Sequence, residues 1–295
     1  MRLVRYVIPA LLIIVFSGPL LAAEGKKWIQ PYHLASQSAG KLADVTSQTK
    51  SKLQGAGFSV VGEYSPYSNV NLVVVSNDTL KSNAAKSPHG GYGAAIRVAI
   101  TQVGDKVQVS YVNPEWMSGM FQLKSLLTDV DASLKAALGF VKGFGTENLW
   151  DDLHLREYHY MVFMPYFADQ LDLAEHKSYE DAVKAVEAGL AAGKAGVGKV
   201  YRIDIPGKKE TVFGVSIKSG KGSDKAVMAV VDKTDIRHSA HLPYEMLVSG
   251  NKVYALHGKF RIAQSFPDLT MTTFMNISDA PDGIEDALSR AAGGK

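Results

Sequence analysis

The sequence predicts an α+β protein of two related domains, each an antiparallel sheet with helices packed on one face. Three observations predict it. Runs rich in β-branched and aromatic residues alternate with turn chemistry, amphipathic stretches of helical spacing flank them, and the second half repeats the element order of the first. A chain of 295 residues, 46% hydrophobic and 21% charged, is long enough for a normal core and about two domains. Disorder, collagen and a multi-span membrane protein are excluded on the same composition.

In the first half, residues 34–53 place Leu42, Val45 and Leu53 at helical spacing, with Lys41, Lys50 and Lys52 off that stripe. Gly55 and Gly57 end the predicted helix. Residues 58–64 and 70–75 read as strands joined through Ser65 and Pro66. Residues 94–100 and 106–112 read as a hairpin around Val103, Gly104 and Asp105. Asn113 and Pro114 stop its second strand, and residues 129–138 carry Val130, Leu134, Ala137 and Leu138 at helical spacing.

In the second half, Ser178 caps a helix with Asp181 three residues on, and Val183, Val186 and Leu190 form its stripe. Gly193 to Gly198 end it. Strands are expected at 200–205 and 212–217 around Pro206 and Gly207, and another at 227–231, matching 72–75 of the first half. Residues 245–248 and 253–263 follow as strands about a turn at Ser249, Gly250 and Asn251, and residues 281–291 close as a helix. The landmark spacings agree: His89, Tyr92 and Pro114 are echoed by His241, Tyr244 and Pro267. Past each proline come paired methionines, Met117 and Met120, then Met271 and Met275.

The first residues predict an export address. Arg2 and Arg5 precede an apolar core, and Gly18, Pro19 and the small residues Ala22 and Ala23 make an exit, so residues 1–23 read as a cleaved signal peptide and the mature chain as periplasmic. The apolar run is short for a spanning helix, which is the competing reading, and the absence of cysteine excludes a lipoprotein. Cleavage removes two arginines and lowers the formal charge from +3 to +1. With no basic cluster, nucleic acid is not an expected partner. Zero cysteines also remove disulfides, thiol nucleophiles, iron–sulfur clusters and covalent haem attachment. The expected organisation is then a first domain over 24–143, an aromatic-rich segment over 144–174 and a second domain over 175–295.

The run with Gly55, Gly57 and Phe58, then Leu72 to Asn77, then Ala95 to Ile100, then Val107 to Met117 with its Asn113 and Pro114, then the helix at 129–138, resembles the domain-of-unknown-function 302 family. The resemblance covers about 35–142, and 175–293 resembles a more divergent copy. It implies a small α+β domain with helices against an antiparallel sheet. Family members tend to associate in pairs, so two copies in one chain imply an internal pseudo-dimer. Cysteines that members often carry are replaced here by Ser76 and, roughly, Ala95, so no thiol chemistry carries over.

Catalytic templates are missing: there is no nucleophile elbow, P-loop, dinucleotide fingerprint or H-E-x-x-H. His154 and His159 are five apart, about 140° around a helix or on opposite faces of a strand, so no regular element lets them clamp one zinc. The Gly-rich stretch 88–93 precedes a strand, so it offers no helix N-terminus to a phosphate and reads as a flexible loop. Its His89 and Tyr92, echoed by His241 and Tyr244, are candidate ligand-binding pairs that a pseudo-dimer would turn toward a shared cleft.

A second set of candidates is soft. Met117 and Met120, Met271 and Met275, and His159 with Met161 on one face of a strand could hold copper, or a haem, without cysteine. The competing reading is that these methionines fill irregular gaps in a core. Between the halves, residues 144–173 carry Trp150, Tyr158, Tyr160, Phe163, Tyr166 and Phe167, too apolar for an exposed linker. They are expected to pack across the domains or to form a partner or ligand surface. The expected function is a periplasmic, non-catalytic binding or accessory protein whose small-molecule or protein partner sits between the halves. The alternatives are a copper or haem protein, and an enzyme using the His-Tyr pairs.

Overall fold

The chain runs through two sets of elements in one order. A computed structural model describes residues 28–294, so the expected signal peptide lies outside the described residues. The first set is β1 (Tyr32–Ala39), α1 (Leu42–Gly55), β2 (Ser59–Tyr64), β3 (Val70–Ser76), α2 (Asp78–Ala85), a 3-10 turn (Gly90–Gly93), β4 (Ile96–Val103), β5 (Lys106–Val112), α3 (Pro114–Met120) and α4 (Thr128–Leu138). A short β6 (Lys142–Phe144) and α5 (Asp152–Arg156) lead across. The second set is β7 (Leu171–Glu175), α6 (Tyr179–Ala191), β8 (Val197–Asp204), β9 (Glu210–Ile217), α7 (Asp224–Val231), a 3-10 turn (Ser239–His241), β10 (Tyr244–Ser249), β11 (Lys252–Ala255), α8 (Gly258–Ser265), α9 (Met271–Met275) and α10 (Ala280–Ala292). Among the described residues, no helix is long and apolar enough to cross a membrane.

Two antiparallel sheets result. Their orders are β2-β3-β4-β5-β1-β6 and β8-β9-β10-β11-β7, so the second sheet repeats the first five strands of the first. Even the irregularities repeat. The edge strands β2 and β8 each bulge once against their neighbours, β2 between Val60 and Gly62 and β8 between Lys199 and Tyr201. Helices α1 and α4 cover one face of the first sheet, and α6 and α10 one face of the second. The other faces are turned toward each other, with Arg97 and Gln108 of the first sheet bonded to residues of the second domain.

Several expected elements change identity. Residues 34–39 are strand, not the start of a helix: β1 pairs with both β5 and β6. Only four residues of it are buried, and its sequence is polar and small, so its strand character comes from its place in the sheet rather than from propensity. The expected strand at 227–231 is helix α7. Its valines suggested β structure, but Asp224, Val227, Met228 and Val231 fall on one buried stripe of helical period. This makes it the counterpart of α2, which follows β3 just as α7 follows β9. Helix α2 is itself an element that hydrophobic spacing did not announce; Asn77 caps it by accepting from Leu80 N at 2.9 Å. Strand β11 ends at Ala255 instead of running to 263, because His257 caps α8 there. The second sheet starts at Leu171, ahead of the expected boundary at 175.

These shifts also realign the landmarks. Pro114 opens α3, whose Asn113 cap accepts from Glu115 N at 3.0 Å, whereas Pro267 follows α8. The counterpart of Asn113 and Pro114 is therefore His257 and Gly258. The two methionine pairs sit on α3 and α9, helices in different places of the repeat.

The repeats dock reciprocally. The turn Gly90–Gly93 lies on β9 and β10, and the turn Ser239–His241 lies on β3, β4 and β5. Gly91 N donates to Glu210 Oε1 at 2.7 Å, and a Cβ on Gly91 would stand 2.6 Å from Leu247 Cδ1. The Gly-rich stretch is thus not a flexible loop but a buried turn whose missing side chains let two domains touch. At the sheet edges β2 meets β8, and a Cβ on Gly62 would stand 2.5 Å from the Val200 carbonyl oxygen.

Candidate functional site

The two His-Tyr pairs occupy unlike places. His89 precedes its 3-10 turn with a left-handed φ of 50°, half-buried against the Tyr254 ring, and Gln170 bridges it to Tyr92: the amide nitrogen is 2.8 Å from His89 Nδ1, and the Tyr92 hydroxyl donates to Gln170 Oε1 at 3.2 Å. His241 and Tyr244 are sealed in the interface, with His241 Nε2 3.1 Å from the Tyr244 hydroxyl. Burial, then the charges of Arg261 and Arg97, hold the His241 imidazole well below its ordinary pKa, so it is neutral. Burial likewise raises the Tyr244 phenol, so this pair does not ionise in the physiological range. Tyr92 lies inside its turn while Tyr244 begins β10, so the shared spacing does not mark one repeated position.

Around His241 lies a charged interior. Arg97 is ion-paired with Glu245 and also donates from Nε to Ala240 O at 3.0 Å. Arg261 Nη2 lies 3.2 Å from the other Glu245 oxygen and donates to His241 O at 2.8 Å. All three side chains are at most 3% exposed. This cluster fixes one domain against the other; it offers no route to a ligand.

The soft donors are divided. Met117 and Met120 are each 1% exposed in the first domain's core, while Met271 and Met275 are 44% and 62% exposed on α9. One ion would have to draw on a sealed pair and a surface pair at once. His159 and Met161 lie in an irregular segment after α5, not on a strand, and the His159 ring packs at a tilt against Tyr166, with centroids 4.4 Å apart. Among the described residues, no group of three or more His, Asp or Glu side chains is placed to hold a metal.

The aromatic-rich segment divides in two. Tyr158 and Phe167 are buried across the domains: the Tyr158 hydroxyl donates to Ala263 O at 2.9 Å, and Phe167 packs between Tyr92, Phe121 and Phe260. Tyr160 donates to Leu269 O at 2.7 Å. Between them, Met161, Val162 and Phe163 stand out from the surface, Phe163 fully so.

A different place between the halves is open. A cleft of about 500 Å³ is lined by Lys142, Phe144 and Thr146 of the first domain's end and by Val230, Lys233, Thr234, Ile236, His238 and Phe266 of the second. Phe144 and Phe266 give it an apolar wall; Lys142 and Lys233 make no ion pair among the described residues. The rim opposite is tied down by Asp268, which accepts from Thr146 Oγ1 at 2.8 Å, Glu147 N at 2.9 Å and Asn148 Nδ2 at 2.8 Å. His238 forms its floor, wedged edge-on to Tyr32 and Phe144. The Thr234 hydroxyl donates to Ile236 O at 2.7 Å, so its oxygen, 3.2 Å from His238 Nδ1, is the acceptor and Nδ1 carries the proton. Asp232 Oδ1, 3.6 Å from the same nitrogen, reinforces that tautomer. Nε2 takes no hydrogen-bond partner among the described residues.

None of these cleft residues was a candidate from the sequence. The signal was present: Lys233, Thr234, Arg237, His238 and Ser239 crowd one polar stretch. It was hidden because α7 read as a strand matching 72–75, which left that stretch as a connection between strands instead of a wall between domains.

No family model matches the chain, and no curated protein matches it. Among solved structures the chain is similar to the crystal structure of an uncharacterized conserved protein DUF302 from Bacillus stearothermophilus, with a TM-score of 0.34 and 16% identity, over 36% of this chain and 94% of that one.

Proposed function

We propose that this is a periplasmic, non-catalytic binding or accessory protein, built as a tandem of domain-of-unknown-function 302 type with a divergent second copy, and that its ligand is an amphipathic small molecule held in the cleft between the domains. The observation that carries this reading is the floor and walls of that cleft. His238, its Nδ1 held by Thr234, keeps Nε2 free of hydrogen bonds among the described residues, between aromatic walls contributed by both domains and beneath two lysines that make no ion pair among those residues. Ligand sites are commonly concave, mostly apolar and supplied with a few oriented polar groups, and they favour domain interfaces. The shared sheet order and the matched edge bulges support the tandem arrangement.

The test is calorimetric titration of the mature chain with a panel of amphipathic acids and alcohols, from alkyl to aromatic. A saturable one-to-one ligand is expected, weakened about tenfold or more by His238→Phe, which keeps the packing and removes the acceptor. Binding that survives both His238→Phe and a cleft-filling Ile236→Trp places the ligand elsewhere and ends this reading. Fractionation of expressing cells tests the compartment.

A further inference from the structure

Helix α7 has a second open flank. There, a recess of about 440 Å³ is lined by Tyr67, Asn69 and Thr101 of the first domain and by Lys225, Asp232 and Arg237 of the second. Its charge is arranged for an anion. Arg237 spends one guanidinium nitrogen on Asp232 O and Lys225 makes no ion pair among the described residues, so most of their donors are uncommitted. The one carboxylate present is already satisfied: Asp232 Oδ1 accepts from His238 N at 2.8 Å and Oδ2 from Ser239 Oγ at 3.2 Å. Thr101 is 2% exposed, and its Oγ1 has no hydrogen-bond partner among the described residues. A hydroxyl is not left unpaired in a buried wall without cost, and this wall faces the recess.

We propose that this recess is a second binding site, independent of the larger cleft, for a tetrahedral oxyanion carried on a polar body, such as a phosphate or sulfate monoester. Arg237 supplies a planar fork that matches two oxyanion oxygens, Lys225 a mobile point charge, and the Thr101 hydroxyl a donor from the wall. The Asn69 side chain, its nitrogen donating to Gln102 O at 3.1 Å, and Tyr67, bonded to Ser239, stand beside them and offer their oxygens to the polar body. A bare ion leaves most of a volume this size empty, which favours an ester over the free ion.

The test is calorimetric titration of the mature chain with inorganic phosphate, inorganic sulfate and glucose 6-phosphate, at low salt and again at physiological salt. Saturable one-to-one binding is expected, tightest for the ester, weakened about tenfold or more by Arg237→Gln and severalfold by Lys225→Gln. Thr101→Val is expected to weaken binding while leaving the melting temperature unchanged or higher, since it removes an unpaired buried hydroxyl. Should Arg237→Gln fail to fold, Lys225→Gln and Thr101→Val decide. Equal affinity for phosphate and ester assigns the free ion as the source and retains the oxyanion site. Non-saturable uptake, or affinity unchanged across the variants, overturns it.

Discussion

Arg97 and Glu245 hold the same place in the two sheets and are ion-paired to each other. Each is the second residue of the central strand that follows its 3-10 turn, Arg97 opposite Val74 and Glu245 opposite Gly214. The same row continues outward past the bulge to Gly62 in one sheet and Tyr201 in the other. In a symmetric pair of identical copies, each of these positions would face like residues. Here the two sheets are complementary: opposite charges meet at one position, and at the next, Gly62 leaves room for the strand that carries Tyr201. The ring of Tyr201 in turn fills the space a side chain on Gly214 would take. Complementarity of this kind ties the halves to each other and leaves neither suited to pair with a copy of itself.

The first prediction concerns that pair. Glu245→Gln leaves Arg97 and Arg261 buried without a counter-charge, and is expected to cost about 3–5 kcal/mol in urea unfolding. The double variant Arg97→Met, Glu245→Gln is expected to recover part of the loss, because one uncompensated cation is removed. Costs of Arg97→Met and Glu245→Gln that simply add in the double variant contradict a direct pairing energy between the two residues.

The second concerns pH. Asp224 is buried at the start of α7, accepting from the Tyr64 hydroxyl across the interface and from Ile217 N at 2.8 Å. Burial pushes its carboxyl up from 3.8 to about 7, against the lowering effect of those two hydrogen bonds. The folded chain therefore holds a proton between about pH 4 and 7 that the unfolded chain has lost, so this group's contribution falls as pH rises through that window and levels off above it. The slope is at most about 1.4 kcal/mol per pH unit. Unfolding midpoints measured from pH 5 to 8 are expected to fall for the parent chain and to flatten in Asp224→Asn; parallel profiles for the two count against it.

The third separates packing from metal binding. Met117→Ala is expected to cost about 2–5 kcal/mol, as a cavity in a closed core does. Met275→Ala, at an exposed position, is expected to change stability by less than about 0.5 kcal/mol. Neither substitution is expected to alter the metal content or absorption spectrum of protein purified without a metal-binding tag. Stoichiometric copper or haem that is lost with Met275→Ala restores the soft-donor reading.

Much of this fold can be read in local chemistry. The hairpin at Gly104, the Ser178 cap of α6 and the closing helix α10 need only neighbours along the chain, and each stands where the sequence puts it. The α+β class and the repeated order of elements follow from such local signals. What the sequence could not settle is what depends on partners far along the chain. Strand β1 is a strand because β5 and β6 bond it from either side, and α7 is a helix because its stripe of Val227, Met228 and Val231 has a core to enter. Spacing alone made His89 and His241 look equivalent, and made Pro114 and Pro267 look like one landmark. Only the sheet register shows that Arg97 answers Glu245. The cleft over His238 and the recess beside Thr101 belong wholly to the tertiary structure, since each is walled by residues more than a hundred positions apart that meet only when the two sheets close on each other.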